Sequence, residues 1–196
     1  MTISWPSTII PNSMSDPVVI NPQQESRSPY SESTQIRASA SHLYEVTYTF
    51  PPLTNTQWDL VKSISHKLGR NEVLIDLYRP MEAAGTSGTI LVGSGASGAS
   101  LPVTAVNSAY APKAGRFLSI TTSSRSYLYS LDTDSAAGST SRTFALTGAN
   151  RYPHEVGDAV LMETAKIQGK GTISGGVCNA QSGLWEGIQL TVREMR

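Results

Sequence analysis

Several short stretches carry residue types that could do chemistry, and their neighbours decide what each can do. Gly93, Gly95 and Gly98 form a G-x-G-x-x-G after an apolar run. In a dinucleotide site such glycines let the backbone approach a pyrophosphate, and a helix must begin there to offer its N-terminal amides. Here the chain continues Ala99-Ser100-Leu101-Pro102-Val103, which does not open a helix, and no acidic residue stands about 20 positions on. A glycine turn is expected instead. Gly169-Lys170-Gly171-Thr172 echoes the end of a P-loop but lacks the upstream glycine spacing, so it reads as a solvent-facing turn. His42, His66 and His154 lie 24 and 88 residues apart with no His-x-x-x-His, and no paired carboxylates accompany them as metal ligands. Asp132 and Asp134 flank Thr133, a pattern that caps backbone amides more often than it holds calcium.

Nucleophilic and glycosidic chemistry find no better footing. The serines include no Gly-x-Ser-x-Gly elbow, and nothing singles out one carboxylate pair among fifteen acidic residues. The single cysteine, Cys178, excludes an intrachain disulfide and reads as a small residue in a strand. Trp185, Tyr127 and Tyr129 could stack on saccharide rings, although strand tyrosines also pack against cross-strand neighbours. The sequence thus predicts no catalytic, metal-binding or cofactor-binding residues and no cofactor, with a carbohydrate-binding β module as an alternative role.

The elements that would have to position such residues are mostly strands. Tyr44, Val46, Tyr48 and Phe50 alternate with polar residues, the period of a half-buried strand. Pro51 and Pro52 cannot donate backbone hydrogen bonds and end it. Thr54 with Gln57 fits a capping box, and Trp58, Val61, Ile64 and Leu68 fall on one helical face, expected to be buried against that strand. Gly69 suits a left-handed helix end, after which Val73, Ile75 and Leu77 alternate again. Core membership is expected for Trp58, Val61, Ile64, Leu68, Tyr48 and Phe50.

Upstream, the first forty residues hold five prolines, Pro6, Pro11, Pro17, Pro22 and Pro29, between short β-branched pieces. This is the composition of an extended arm that lies along a neighbour, with Ile9, Ile10, Val18, Val19 and Pro29 as its assembly residues. Downstream, Met81–Gly98 shifts to glycine, serine and alanine, and strands are expected at short spacing: Thr89–Val92, Leu101–Val106, Phe117–Thr121, Tyr127–Asp132, Arg142–Leu146, Ala159–Glu163, Gly171–Ser174 and Gln189–Met195. The fold class expected is mainly β: an extended arm over 1–25, a β-sandwich with helix 55–68 over 26–82 (with possible return of a C-terminal strand from 184–196), and a Gly/Ser-rich small barrel or sandwich over 83–183.

Fifteen basic and fifteen acidic residues give a formal net charge of zero, without the basic excess of a nucleic-acid binder. No apolar run approaches the ~20 residues that span a bilayer, and no signal peptide is evident. No nucleic-acid or membrane partner is therefore expected.

The order of these parts also carries a resemblance. Ser28-Pro29, Thr34-Gln35, the strand ending in Pro51-Pro52-Leu53, the short helix ending in Gly69-Arg70 and the strand leading to Pro80 together resemble the distal-tail family of tailed-bacteriophage structural proteins. The likeness covers roughly the first 80 residues well and the rest more loosely, with Val156-Gly157-Asp158 fitting a later turn. The resemblance implies a non-catalytic virion protein assembled in the host bacterial cytoplasm. Its partners, as the resemblance implies, would be further copies of itself in a ring of six, and the tube, tip or hub proteins of the tail. A neck or decoration role and a host glycan partner are the alternatives it leaves.

Overall fold

The computed structural model describes residues 1–20, 24–27, 34–37, 42–77 and 86–195. Along the chain run β1 (Thr2–Ser4), β2 (Ser13–Met14), β3 (Val18–Ile20), β4 (Gln24–Arg27), β5 (Thr34–Arg37), β6 (Leu43–Thr49), α1 (Asn55–Leu68) and β7 (Glu72–Asp76). There follow β8 (Ile90–Val92), β9 (Ser100–Thr104), β10 (Phe117–Thr122), β11 (Arg125–Ser130), β12 (Arg142–Ala145), β13 (Ala159–Leu161), β14 (Lys166–Ser174), β15 (Val177–Cys178), β16 (Trp185–Glu186) and β17 (Gln189–Glu194). The fold is mainly β, with one helix among the described residues, as the alternating patterns predict.

A seven-stranded sheet has the order β1-β7-β14-β17-β6-β2, with β3 also on β6. Its pairs are antiparallel except β1 with β7. The sheet is strongly coiled: the Tyr48 hydroxyl on β6 donates to the Asp76 carbonyl at the end of β7, although β17 and β14 lie between those strands. Strands so separated stand about 14 Å apart in a flat sheet, beyond the reach of a tyrosine. The return of the C-terminal strand places Leu190 and Val192 opposite Tyr48 and Val46. Lys166–Ser174 also joins this sheet, between β7 and β17.

Residues 90–161 form a six-stranded antiparallel sheet, β11-β10-β13-β8-β9-β12. Its outer strands meet through the isolated Leu131–Leu146 bridge, flanked by Asp132 N–H donating to Ala145 C=O at 2.8 Å and Thr147 N–H to Ser130 C=O at 3.0 Å. One bridge without a continuous ladder leaves a curled, sandwich-like sheet and not a closed barrel. Its own core gathers Ile90, Val103, Tyr110, Leu118, Phe144 and Val160. Leu128 of β11 belongs instead to the core of the first sheet, and Phe117 meets Tyr44 edge-on at 5.5 Å, so the two sheets share apolar contact.

Helix α1 begins as the capping box requires: Gln57 N–H donates to Thr54 Oγ1 and Thr54 N–H donates to Gln57 Oε1. Val61, Ile64 and Leu68 are buried, and so are Tyr48 and Phe50. Two expectations need correction. Trp58 is half-buried, because its place in the first turn puts it at the margin, stacked on Trp185 at 4.8 Å and pressed to Gly176. Gly69 has φ of −59°, which is right-handed; the helix end is closed by the Asn71 side chain, whose Nδ2 donates to the Lys67 carbonyl. Past the two prolines, Leu53 and Trp185 exchange backbone hydrogen bonds of 2.8 Å each, so Pro51-Pro52 steps the chain from β6 to the β15–β16 ribbon.

Gly169-Lys170-Gly171-Thr172 is not a turn but the middle of the nine-residue β14. Its glycines are there for close approach. A Cβ on Gly169 would lie 2.0 Å from the Arg193 carbonyl oxygen, and one on Gly171 would lie 2.9 Å from Val73 and 3.1 Å from Leu68.

The arm is corrected in part. Residues 1–20 pair with β7 and β6 of the same chain. Ile9 is buried in that chain's core beside Trp5, whose indole N–H donates to the Ile9 carbonyl, so it cannot anchor a neighbour. Ile10, Val18 and Val19 remain exposed, and Pro29 lies outside the described residues.

Candidate functional site

The densest polar construction lies where the two sheets meet. On β17 the inward positions Leu190 and Val192 are followed by Glu194, which the period-2 register carries to the same side. Its carboxylate takes four donors. Oε1 accepts from Leu128 N–H at 2.9 Å and Arg151 Nη2 at 3.0 Å; Oε2 accepts from Tyr44 N–H at 3.0 Å and Arg151 Nη1 at 2.7 Å. Arg151 Nη2 also donates to the Leu128 carbonyl. The two side chains are only 7% and 2% exposed. Burial pushes the Glu194 carboxyl up from its ordinary value, opposed by Arg151 and the two backbone donors. Burial likewise opposes the Arg151 charge, and Glu194 outweighs it. One carboxylate thereby ties β6 of the first sheet to β11 of the second and to the loop after β12.

A second chain of hydrogen bonds fixes that loop. The Asp158 carboxylate only accepts, so the Thr122 hydroxyl gives it its proton and accepts from His154 Nδ1–H at 2.8 Å. His154 Nε2 is then the acceptor for the Tyr129 hydroxyl at 2.9 Å, whose oxygen takes the Arg151 backbone N–H at 3.1 Å. Held neutral by burial, the ring carries its one proton on Nδ1, and its tautomer is fixed. Burial lowers its pKa from 6.5 to about 4; Asp158 opposes the shift and Arg151 adds to it. Around it, Tyr127 stacks on Tyr152 at 5.3 Å, and the Arg151 guanidinium lies 5.0 Å from the Tyr129 ring centroid.

A threonine, a histidine and an aspartate in contact suggest a hydrolytic relay, but their order is wrong for one. The Thr122 hydroxyl spends its proton on Asp158, takes the histidine proton on its oxygen, and is 2% exposed. A nucleophile must instead give its proton to the base and face the substrate. The arrangement acts as a fastener.

The residues singled out by sequence are dispersed. Gly95 and Gly98 sit in a turn with φ of +85° and +55° and lead into strand β9, not a helix. Asp134 does cap a backbone amide, accepting from Ala114 N–H at 2.8 Å, and pairs with Lys113. Cys178 is exposed on the β15–β16 ribbon. Trp185 stacks on Trp58 and donates to Asn55, Tyr127 stacks on Tyr152, and Tyr129 is buried, so the three aromatics do not make one platform. Among the described residues no group of three His, Cys, Asp or Glu is placed to hold a metal ion, and no helix is long and apolar enough to cross a membrane. A pocket beside β1, lined by Ser4, Trp5, Ser7, Leu74, Asp76 and Lys166, encloses about 220 Å³, below the ~300–1,000 Å³ of ordinary small-molecule sites.

No protein-family model matches the sequence, and no curated protein matches it.

Proposed function

We propose that this chain is a structural protein of a bacteriophage tail, of the distal-tail type, which works by subunit assembly without catalysis. In this role it joins the tail tube to the tail tip in the virion, as a ring of copies contacting other tail proteins. The observation that carries the reading is the packing of the block behind the resemblance. The strand ending in Pro51-Pro52-Leu53, the capped helix and the strand Glu72–Asp76 form one unit closed by β14 and the C-terminal strand. The polar side chains that could suggest chemistry are engaged in internal contacts that hold two sheets together. Exposed apolar side chains at Ile10, Val18 and Val19 remain on the N-terminal segment. Native mass spectrometry and negative-stain microscopy of the full chain test this: rings of defined copy number are expected, and a monomer at every concentration overturns it.

One observation favours a second reading. Tyr152, 39% exposed and stacked on Tyr127, offers an aromatic face of the kind saccharide rings stack on. A carbohydrate-binding module would give glycan-array signals lost in Tyr152→Ala, whereas the tail reading expects none to depend on that residue.

A further inference from the structure

The first sheet ends in two unlike ways. At one end β1 pairs with β7 on one side only: Met1 C=O accepts from Glu72 N–H, and Trp5 N–H donates to Leu74 C=O. Strand residues alternate in the direction of their backbone groups, so with Met1, Ile3 and Trp5 turned to β7, Thr2 and Ser4 point theirs outward. No described strand lies beyond them. At the other end β6 carries β2 and β3, and from β3 the chain passes into the β4–β5 ribbon.

That ribbon is a two-stranded sheet by itself, in register from Gln24–Arg37 to Arg27–Thr34. Its strands read Gln-Glu-Ser-Arg and Thr-Gln-Ile-Arg, so Ile36 is the one apolar residue. Such a ribbon has no hydrophobic face to bury, and an isolated hairpin is marginal in water. What it offers is outer edges of backbone donors and acceptors, which a further strand satisfies.

We infer that the β4–β5 ribbon of one copy adds to the open edge of β1 in a second copy, continuing the first sheet across the subunit boundary. This rests on the assembly reading above and names its surfaces. Both sides are polar, Thr2 and Ser4 against the ribbon, which suits backbone pairing better than apolar docking. Val18 and Val19, exposed at the root of the ribbon, add an apolar flank. Because the two surfaces that meet, the ribbon and the β1 edge, are different parts of the chain, the contact is head-to-tail, and its repetition closes a ring or winds a helix.

The test is Ser4→Pro in the full chain, which deletes an outward N–H and leaves the Ile3 and Trp5 bonds to β7 in place. Native mass and circular dichroism are compared with the parent, and hydrogen exchange of residues 1–5 and 24–37 is followed in the parent at high and low concentration. The expected result is a parent oligomer in which both segments gain protection on assembly, with a variant of parental dichroism whose association is weakened at least about tenfold. A folded variant that assembles like the parent overturns the ribbon contact and leaves the assembly reading standing. So does a parent oligomer in which those two segments exchange as they do in the monomer, a result that decides the matter even if the variant misfolds. A parent that never associates overturns both.

Discussion

Glu194→Gln is the sharpest perturbation of the junction between the sheets. The carboxylate oxygens each hold one backbone N–H and one guanidinium N–H. Whichever oxygen becomes the amide NH2, its two donors then face another donor. One backbone N–H, of Tyr44 or Leu128, is left buried without an acceptor, which costs about 1–3 kcal/mol. The Arg151 cation, 7% exposed, loses its counter-charge as well. Breaking a buried pair by removing one partner costs about 3–5 kcal/mol, and the two effects overlap because they share the same atoms. We therefore expect about 3–5 kcal/mol from guanidinium denaturation followed by tryptophan fluorescence, or a melting point lower by about 6–20 °C for a chain of this length. Adding Arg151→Met removes the stranded cation, so the double variant should be less damaged than the two single losses summed, with a coupling near 2 kcal/mol. A Glu194→Gln protein within about 1 kcal/mol of the parent would refute the pin.

Three further outcomes follow from the geometry. His154 is held neutral, with a folded pKa of about 4 against 6.5 in the unfolded chain, so its contribution is full above pH 6.5 and fades as pH falls toward 4. The half-exposed ring limits this to about 1–2 kcal/mol, and the drop in melting temperature across that window should be shallower in His154→Gln. Gly169→Ala drives a Cβ into the Arg193 backbone, which cannot rotate away; a loss above about 3 kcal/mol is expected, and normal stability would contradict the close approach. Trp58→Ala, at a half-buried stacked position, should cost about 2–3 kcal/mol, less than the ~3–5 of a fully buried tryptophan, with a red shift in Trp185 emission as its partner ring leaves.

Local signals were the legible ones. The Thr54–Gln57 capping box, the alternation from Tyr44 to Phe50 and the proline break each depend on neighbours in sequence, and each appears where its residues place it. Trp58 was harder, because helical phase tells which face a residue is on but not how far the sheet extends beneath it. Strand partners were out of reach: nothing in Lys166–Ser174 says that it inserts between β7 and β17. The turn reading of Gly169–Thr172 failed because glycine also marks places where two backbones nearly touch. Of the junction, Glu194 did leave a sign, a carboxylate at an inward position after Leu190 and Val192. Arg151 and His154 left none, since a loop has no period and their partners are 43 and 32 residues away.

The interleaving of the two sheets dictates an order of events during synthesis. The second sheet uses only residues 90–161, an unbroken stretch, whereas the first draws on strands before residue 77 and on β14 and β17 after residue 165. As the chain leaves the ribosome, the second sheet can be complete while β6 and β7 still wait for the strands that fill the space between them. The apolar side of α1 and two strand edges stay uncovered through that interval, the condition under which nascent chains pair wrongly. Closing the first sheet requires a loop spanning the whole second one, and such long-range pairing is slow. Refolding should accordingly show a fast phase from Tyr127 and Tyr129 and a slower one from Trp5, Trp58 and Trp185, with the last strand, Gln189–Glu194, completing the sheet and fastening both halves at once.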